Sequence, residues 1–155
     1  VDAMLPVIER LSALSPSLKI MFTVSPIRHL RDGAHDNQLS KAVLLLAIDK
    51  LSRCFPDTVL YFPSYEILLD ELRDYRFYAA DMVHPSEVAI EYLWQRFREW
   101  CFSADANRAT DEALRLRSRL NHRFLTADTT TQQAFRAQTD KLLAEFLSHH
   151  PYLRP

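Results

Sequence analysis

Residues 19–24, Lys-Ile-Met-Phe-Thr-Val, and residues 58–62, Thr-Val-Leu-Tyr-Phe, decide the fold class of this chain. Each is a short, nearly continuous apolar run, which is typical of a strand covered on both faces. Between them, residues 38–54 predict a helix that is apolar nearly all round through residues 42–48, as expected for a helix packed on a sheet or between layers. A strand, a helix and a second strand within this length predict a βαβ unit with two parallel strands.

Further helices are predicted on both sides of this unit. Apolar residues recur at helical spacing in residues 1–14, 65–72 and 86–101. Proline is tolerated only near the first turn of a helix, so Pro6 predicts that the first helix either begins close to Met4 or carries a bend.

The pattern changes after residue 103, because the remaining chain contains helical stretches with no strand between them. Residues 111–125 and 130–148 predict an antiparallel helical hairpin, with its turn and cap in residues 126–129. We therefore expect an α/β domain over residues 1–103 and a helical hairpin extension over residues 104–155.

Residues 25–38 show neither a helical nor an alternating period and predict a polar loop, with Asp36 or Asn37 capping the helix that follows. Loops at the carboxyl ends of parallel strands line the ligand cleft of an open sheet, so this loop is expected to contact substrate. A competing interpretation is that its histidines and arginine only satisfy carboxylates and loop carbonyls. The candidate substrate-binding residues are Ser25, Arg28, His29, His35 and Asn37.

The composition limits the classes of partner. Lys and Arg number 19 and Asp and Glu 20, a formal net charge of −1, so no strong field favours nucleic acid or an anionic membrane. One glycine, Gly33, excludes a glycine-rich phosphate cradle within these residues. The longest apolar stretch, residues 42–48, is too short to span a membrane.

The two cysteines, Cys54 and Cys101, lie far apart in the sequence and in no metal-binding spacing. Each falls near the end of an apolar helical run, which predicts buried thiols in a reducing compartment. A single disulfide in a secreted domain is the alternative. The small number of cysteines slightly favours the cytoplasm, but the residues do not determine the compartment.

Asp81 and His84 form an Asp-x-x-His motif directly before Pro85 and a long amphipathic run. At the head of a helix this spacing places both side chains on one side of the turn. The carboxylate could then orient the imidazole, which is what a general base needs. Because short motifs often arise by chance, the alternative is that Asp81 only caps the helix and His84 is a polar residue at its entry.

A metal site that combines the Asp81–His84 motif with His29 and His35 is a further alternative. No His-Glu-x-x-His or Cys-x-x-Cys motif anchors such a site, so we expect neither a metal nor a cofactor.

Five sequence blocks follow one another in a fixed order. They are Thr-Val-Ser-Pro-Ile-Arg-His-Leu-Arg-Asp-Gly at 23–33, His-Asp-Asn-Gln-Leu-Ser-Lys at 35–41, Tyr-Phe-Pro-Ser-Tyr-Glu at 61–66, Asp-Glu-Leu-Arg-Asp-Tyr-Arg-Phe-Tyr at 70–78 and Asp-Met-Val-His-Pro-Ser at 81–86. Together these blocks resemble the C-terminal half of a GSCFA-domain protein. GSCFA proteins resemble in turn the SGNH (GDSL-like) hydrolase superfamily, so the resemblance implies part of a flavodoxin-like three-layer α/β/α sandwich. It also implies that His84 is the general base of a serine hydrolase and that Asp81 orients it.

The Gly-Ser-Cys-Phe-Ala motif that gives the family its name is absent from the chain. The resemblance therefore implies that the nucleophile, the oxyanion residues and further strands lie upstream of Val1. Ser25 and Ser64 lack the glycine-flanked elbow of an exposed nucleophile, and a turn role is favoured for Ser25.

We therefore expect a serine-dependent esterase or acyltransferase that acts on a small-molecule or carbohydrate acyl ester and has only its acid and base in this chain. The alternative is a non-catalytic interaction or assembly module in which the Asp and His are structural. The open edges of a two-stranded sheet predict either self-association or a bound upstream segment.

Overall fold

The computed structural model describes residues 1–124 and 128–153, and the chain divides into two compact units, Val1–Phe97 and Arg98–Pro155. Short 3₁₀ turns lie at Leu30–Asp32, Tyr75–Phe77 and Pro151–Leu153. The principal elements are α1 (Leu5–Leu14), β1 (Ile20–Phe22), α2 (Gly33–Cys54), β2 (Val59–Tyr61), α3 (Ser64–Glu66, continued by a π-helix over Ile67–Leu72), α4 (Glu87–Cys101), α5 (Ala104–Leu120) and α6 (Thr129–His149).

The first unit is built on the predicted βαβ arrangement. β1 and β2 pair in parallel, with Ile20 opposite Val59 and Phe22 opposite Tyr61, and α2 is the crossover between them. The expectation of two parallel strands is therefore confirmed, although each strand has three residues and is shorter than the apolar run that predicted it.

The core of this unit lies where α1 and the end of α2 meet the sheet. Ile8, Leu51 and Val59 are buried together, and the partly buried Phe22 and Phe55 pack against them. Helix α1 begins at Leu5, with Met4 at its N-cap and proline in its first turn, as the sequence predicts.

The loop expected over residues 25–38 ends earlier than predicted. Helix α2 begins at Gly33, and Asn37 is a buried residue inside it, so the prediction that Asp36 or Asn37 caps the helix is wrong. Gly33 has a φ of 77°, a left-handed conformation that glycine adopts without steric cost and that starts the helix here. The first turn of α2 is polar and exposed, so it carries no apolar period that could have revealed it.

Helix α2 buries one face only, contrary to the expectation that its apolar residues are packed all round. Leu46 is 71% exposed, and the expected cover of a second layer is not present in the described residues. The buried face carries Asn37, Lys41, Ile48 and Leu51. Lys41 is only 2% exposed, and within the described residues its ammonium makes no hydrogen bond or ion pair.

Helix α3 widens into a π-helix over Ile67–Leu72, and Arg73 ends it in a left-handed conformation with a φ of 37°. Ile67 and Leu68 point inward, as expected from the sequence, and Leu68 is 1% exposed.

We expect Leu68→Ala to lower the free energy of unfolding by about 2–5 kcal/mol, because the lost methyl groups leave a cavity under a helix that cannot easily collapse. Urea denaturation followed by circular dichroism measures the change. Leu14→Ala is the matched control, since Leu14 is 76% exposed and its truncation should change stability by less than about 0.5 kcal/mol. Equal effects of the two substitutions would contradict the packing of α3.

The second unit contains the predicted helical hairpin. Helix α5 is capped by Ser103, whose Oγ accepts from the Ala106 N–H at 3.1 Å, so it begins seven residues before the predicted position 111. It ends at Leu120 rather than 125; residues 125–127, which hold the predicted helix end and part of the predicted turn, lie outside the described residues.

The two hairpin helices run antiparallel. Arg119 Nε of α5 donates to Thr139 Oγ1 of α6 at 3.2 Å, and Phe124 and Phe135 pack edge to face with their ring centres 5.4 Å apart. The contacts therefore move backwards along α6, from Thr139 to Phe135, as they move forwards from Arg119 in α5 to Phe124 beyond its end.

Neither cysteine is buried, so that prediction is wrong. Cys54 ends α2 and Cys101 ends α4, and both are exposed thiols outside any disulfide. Through residues 1–124 and 128–153, every helix is too short or too polar to cross a bilayer.

Candidate active site

The Asp81–His84 motif lies in a turn that precedes α4 and is not the head of that helix. Helix α4 begins at Glu87. Directly before it, the Ser86 Oγ accepts a hydrogen bond from the Ala89 N–H at 3.4 Å. The interpretation of Asp81 as the cap of this helix is therefore wrong.

The Asp81 carboxylate instead organises the turn itself. Its Oδ1 accepts from the backbone N–H groups of Val83 at 2.9 Å and His84 at 3.0 Å. Met82, which directly follows Asp81, has a φ of 60°, the left-handed conformation that lets the chain fold back over the carboxylate. One side chain thus holds the backbone of the whole motif.

The same carboxylate holds the imidazole. Asp81 Oδ2 lies 2.6 Å from His84 Nδ1. An ionised carboxylate can only accept, so Nδ1 carries the proton and Nε2 of the neutral ring is left as a base. These bonds, with the backbone N–H of His84 first and its ring N–H next, lower the pKa of Asp81 to about 2.

The base is open to solvent. The side chain of His84 is 60% exposed and that of Asp81 is 50% exposed. Among the described residues Nε2 has no hydrogen-bond partner. The arrangement can accept a proton from a hydroxyl that approaches from outside.

A short hairpin fixes the turn to the rest of the unit. The Ala79 N–H donates to the His84 carbonyl at 2.7 Å, and the Ser86 N–H donates to the Phe77 carbonyl at 2.8 Å. An isolated antiparallel bridge between Tyr78 and Pro85 lies between these bonds.

Arg28 joins the loop after β1 to this turn. Its Nη1 donates to the Met82 carbonyl at 3.2 Å, and its Nη2 donates to the Tyr78 hydroxyl at 3.3 Å. The guanidinium also lies 4.5 Å from the centre of the Tyr78 ring. Of the five candidate substrate-binding residues, Arg28 is the one that the described contacts bring to the motif.

The other four candidates make contacts within their own segment or none. Asn37 Oδ1 accepts from the backbone N–H of His29 at 3.0 Å, and Ser25 Oγ accepts from the Ile27 N–H at 3.3 Å. His35 lies exposed in the first turn of α2. Asn37 and Ser25 therefore shape the loop, while His29 is exposed on the loop and His35 is exposed on α2.

The two serines considered as nucleophiles are both engaged elsewhere. Ser64 Oγ donates to the Val24 carbonyl at 2.9 Å and contacts Thr23 Oγ1. Ser25 is occupied by its turn, and neither hydroxyl is hydrogen-bonded to His84.

The sequence assigned no site role to residues 74–78, which entered only as part of the block at 70–78. Tyr78 forms a β-bridge with Pro85, and its hydroxyl accepts a hydrogen bond from Arg28. The centre of the Tyr75 ring lies 5.9 Å from the same guanidinium. The run of aromatic rings and arginines immediately before the motif was the available signal.

The metal alternative receives no support from the described part of the chain. Across residues 1–124 and 128–153, no three His, Cys, Asp or Glu side chains lie close enough together to hold an ion. His84 is brought to Asp81, and no hydrogen bond or ion pair joins His29 or His35 to it.

Acidification is expected to release the turn. The Asp81 pKa falls on folding from an ordinary 3.8 to about 2, so its contribution is fully present above about pH 4 and is lost as the pH falls through 2. Amide chemical shifts of Val83 and His84, followed by NMR from neutral pH to below pH 2, should report this transition. Asp81→Asn should remove it; the same transition in that variant would contradict the assigned contacts.

Comparison with known proteins identifies the family of the chain. No curated protein and no solved structure matches it. The model of the GSCFA family matches residues 1–97, a span that contains both strands and the Asp81–His84 turn. Because that match covers more than half of the 155 residues, the chain belongs to the GSCFA family.

Proposed function

We propose that this chain carries the acid and base of a serine-dependent ester hydrolase of the SGNH type. His84 is the general base and Asp81 is the residue that orients it. The observation that carries the proposal is the 2.6 Å contact between Asp81 Oδ2 and His84 Nδ1, with Nε2 left exposed. In this proposal the two parallel strands are part of a flavodoxin-like three-layer sandwich.

The proposed reaction begins when His84 Nε2 takes the proton of a serine hydroxyl as its oxygen bonds to the ester carbonyl carbon. The imidazolium then gives that proton to the leaving alkoxide, which departs as the alcohol and leaves an acyl-serine. Water attacks the acyl carbon by the same route and restores the serine. Asp81 stabilises the positive charge on the ring in both halves.

The nucleophilic serine is proposed to lie outside these 155 residues, because Ser25 Oγ accepts from the Ile27 N–H, Ser64 Oγ donates to the Val24 carbonyl, and neither is hydrogen-bonded to His84. The substrate is proposed to be a small-molecule or carbohydrate acyl ester. It would enter beside the loop after β1, since ligands bind at the carboxyl ends of parallel strands. The loop residues in this role are Ser25, Arg28, His29, His35 and Asn37.

The test is an assay of the polypeptide encoded by the complete gene. It should hydrolyse p-nitrophenyl acetate, and a fluorophosphonate probe should label one serine, located by mass spectrometry. The 155-residue chain alone should show neither reaction. A complete polypeptide that is inert toward short acyl esters and toward the probe would reject the proposal.

An assembly role is the second candidate, and the exposed face of α2 favours it. That face is apolar and uncovered in the described residues, and exposed apolar patches often mark interaction sites. Its members are Leu39, Val43, Leu44 and Leu46. Light scattering should then show self-association of the chain that Leu46→Glu reduces. A monomer with a cooperative melting transition would count against this role.

A further inference from the structure

A small pocket of about 200 Å³ lies in the first unit, between the loop after β1 and residues 73–78. Its polar lining residues are two arginines, Arg28 and Arg73, two tyrosines, Tyr75 and Tyr78, and one aspartate, Asp74. Leu68 contributes to the apolar floor. A pocket of this size admits a single carboxylate or phosphate group together with a short chain.

The charge of Arg28 is not neutralised by the protein. Within the described residues no carboxylate lies in ion-pair distance of its guanidinium, which is half-buried against the Tyr78 ring. Two of its N–H groups are used by the Met82 carbonyl and the Tyr78 hydroxyl. The remaining donors are available to an anion, and guanidinium groups bind oxyanions with paired hydrogen bonds.

The other charges of the pocket leave the balance positive. Asp74 accepts from the backbone N–H of Arg76 at 2.9 Å and forms an ion pair with its side chain at 3.8 Å, so its charge is directed toward Arg76. Arg73 pairs at 2.7 Å with Asp70, and both side chains are 75% exposed, where an ion pair is weak and easily exchanged.

Arg28 links the pocket to the Asp81–His84 turn. Arg28 is hydrogen-bonded to the carbonyl of Met82, which lies inside the Asp81–His84 turn. An anionic group bound by Arg28 would therefore hold the rest of its molecule beside the turn.

We propose that Arg28 and Arg73 form an anion-binding subsite, so that the substrate is an acyl ester that also carries a carboxylate or a phosphate group. The part of this inference that identifies the bound anion as a substrate rests on the proposed function. Binding of an anion at the subsite does not require ester hydrolysis.

The experiment is a binding titration by NMR, using inorganic phosphate in one arm and monomethyl succinate, an ester with a free carboxylate, in the other. The Tyr78 ring and the Arg28 side-chain resonances should shift saturably with at least one probe. Saturation by phosphate alone assigns a phosphorylated ester, and saturation by the monoester alone assigns a carboxylated one.

Arg28→Gln should weaken this binding by about tenfold or more, because one charged pair of hydrogen bonds is lost. Arg28→Lys, which keeps the charge without the planar fork, should retain part of the affinity. Arg53→Gln is the control: it removes the same charge from an exposed arginine that pairs with Asp49 on α2.

The absence of saturable shifts with both probes would overturn the inference, as would equal losses in Arg28→Gln and Arg53→Gln. Hydrolysis of neutral esters without anion binding would leave the proposed function standing and reject the subsite. Anion binding without any hydrolysis would reject the proposed function and leave the subsite.

Discussion

Replacing His84 by alanine is expected to lower kcat for a short acyl ester by about 10⁴-fold or more in the polypeptide encoded by the complete gene. The imidazole is the group that Asp81 holds with an open nitrogen, and a serine hydroxyl is a weak nucleophile without such a base. The remaining rate would come from substrate binding and oxyanion stabilisation alone. Steady-state kinetics with p-nitrophenyl acetate measures the loss.

His149→Ala is the matched control, because His149 is an exposed histidine at the end of α6 and is not part of the proposed site. Asp81→Asn should reduce kcat while leaving a measurable rate, since the ring remains but loses the partner that sets its tautomer. Nitrogen-15 NMR of His84 should show the Nδ1–H tautomer in the parent and its loss in Asp81→Asn. A fully active His84→Ala protein would exclude His84 from the chemistry.

Replacing Lys41 by methionine is expected to raise the free energy of unfolding by roughly 1–2 kcal/mol at neutral pH. Lys41 is 2% exposed as a residue, and its ammonium has no counter-charge among the described residues, so folding removes part of its hydration without supplying an ion pair. Methionine fills a similar volume with an apolar chain. Urea denaturation at pH 7 compares the two proteins, with Lys50→Met, an exposed lysine on the same helix, as the control.

The stabilising effect of Lys41→Met should also depend on pH. Burial lowers the pKa of Lys41 below its ordinary 10.5, so the folded state releases this proton at a lower pH than the unfolded state does. The cost of burying the charge is present below the folded pKa and is relieved as the pH rises toward 10.5. The advantage of Lys41→Met should therefore shrink on alkalinisation. A Lys41→Met protein that is less stable at pH 7 would show that the ammonium has a partner.

The apolar runs at residues 19–24 and 58–62 were sufficient to predict the parallel pair, because continuous apolar strands around a helix have few other arrangements. The Asp81–His84 contact also followed from spacing, since three residues bring two side chains together in a turn as well as in a helix. The sequence blocks led to the family that the comparison confirms.

Other features depend on distances that sequence spacing does not encode. Arg28 and Tyr78 are 50 positions apart, so their contact depends on how two loops meet. The early start of α2 was hidden because its first turn is polar, and a lysine at position 41 shows no sign in the sequence of being buried. The opposite holds for the exposed face of α2, whose apolar residues suggested burial, although nothing in the described residues covers them.

The two exposed thiols give each compact unit its own attachment point, since Cys54 belongs to Val1–Phe97 and Cys101 to Arg98–Pro155. Burial raises the pKa of the Cys101 thiol, which lowers the fraction of thiolate, the form that reacts with maleimides. Each unit can therefore take a fluorophore on its own thiol without introducing a new residue. The efficiency of energy transfer between the two fluorophores then reports the distance between Cys54 and Cys101 in solution.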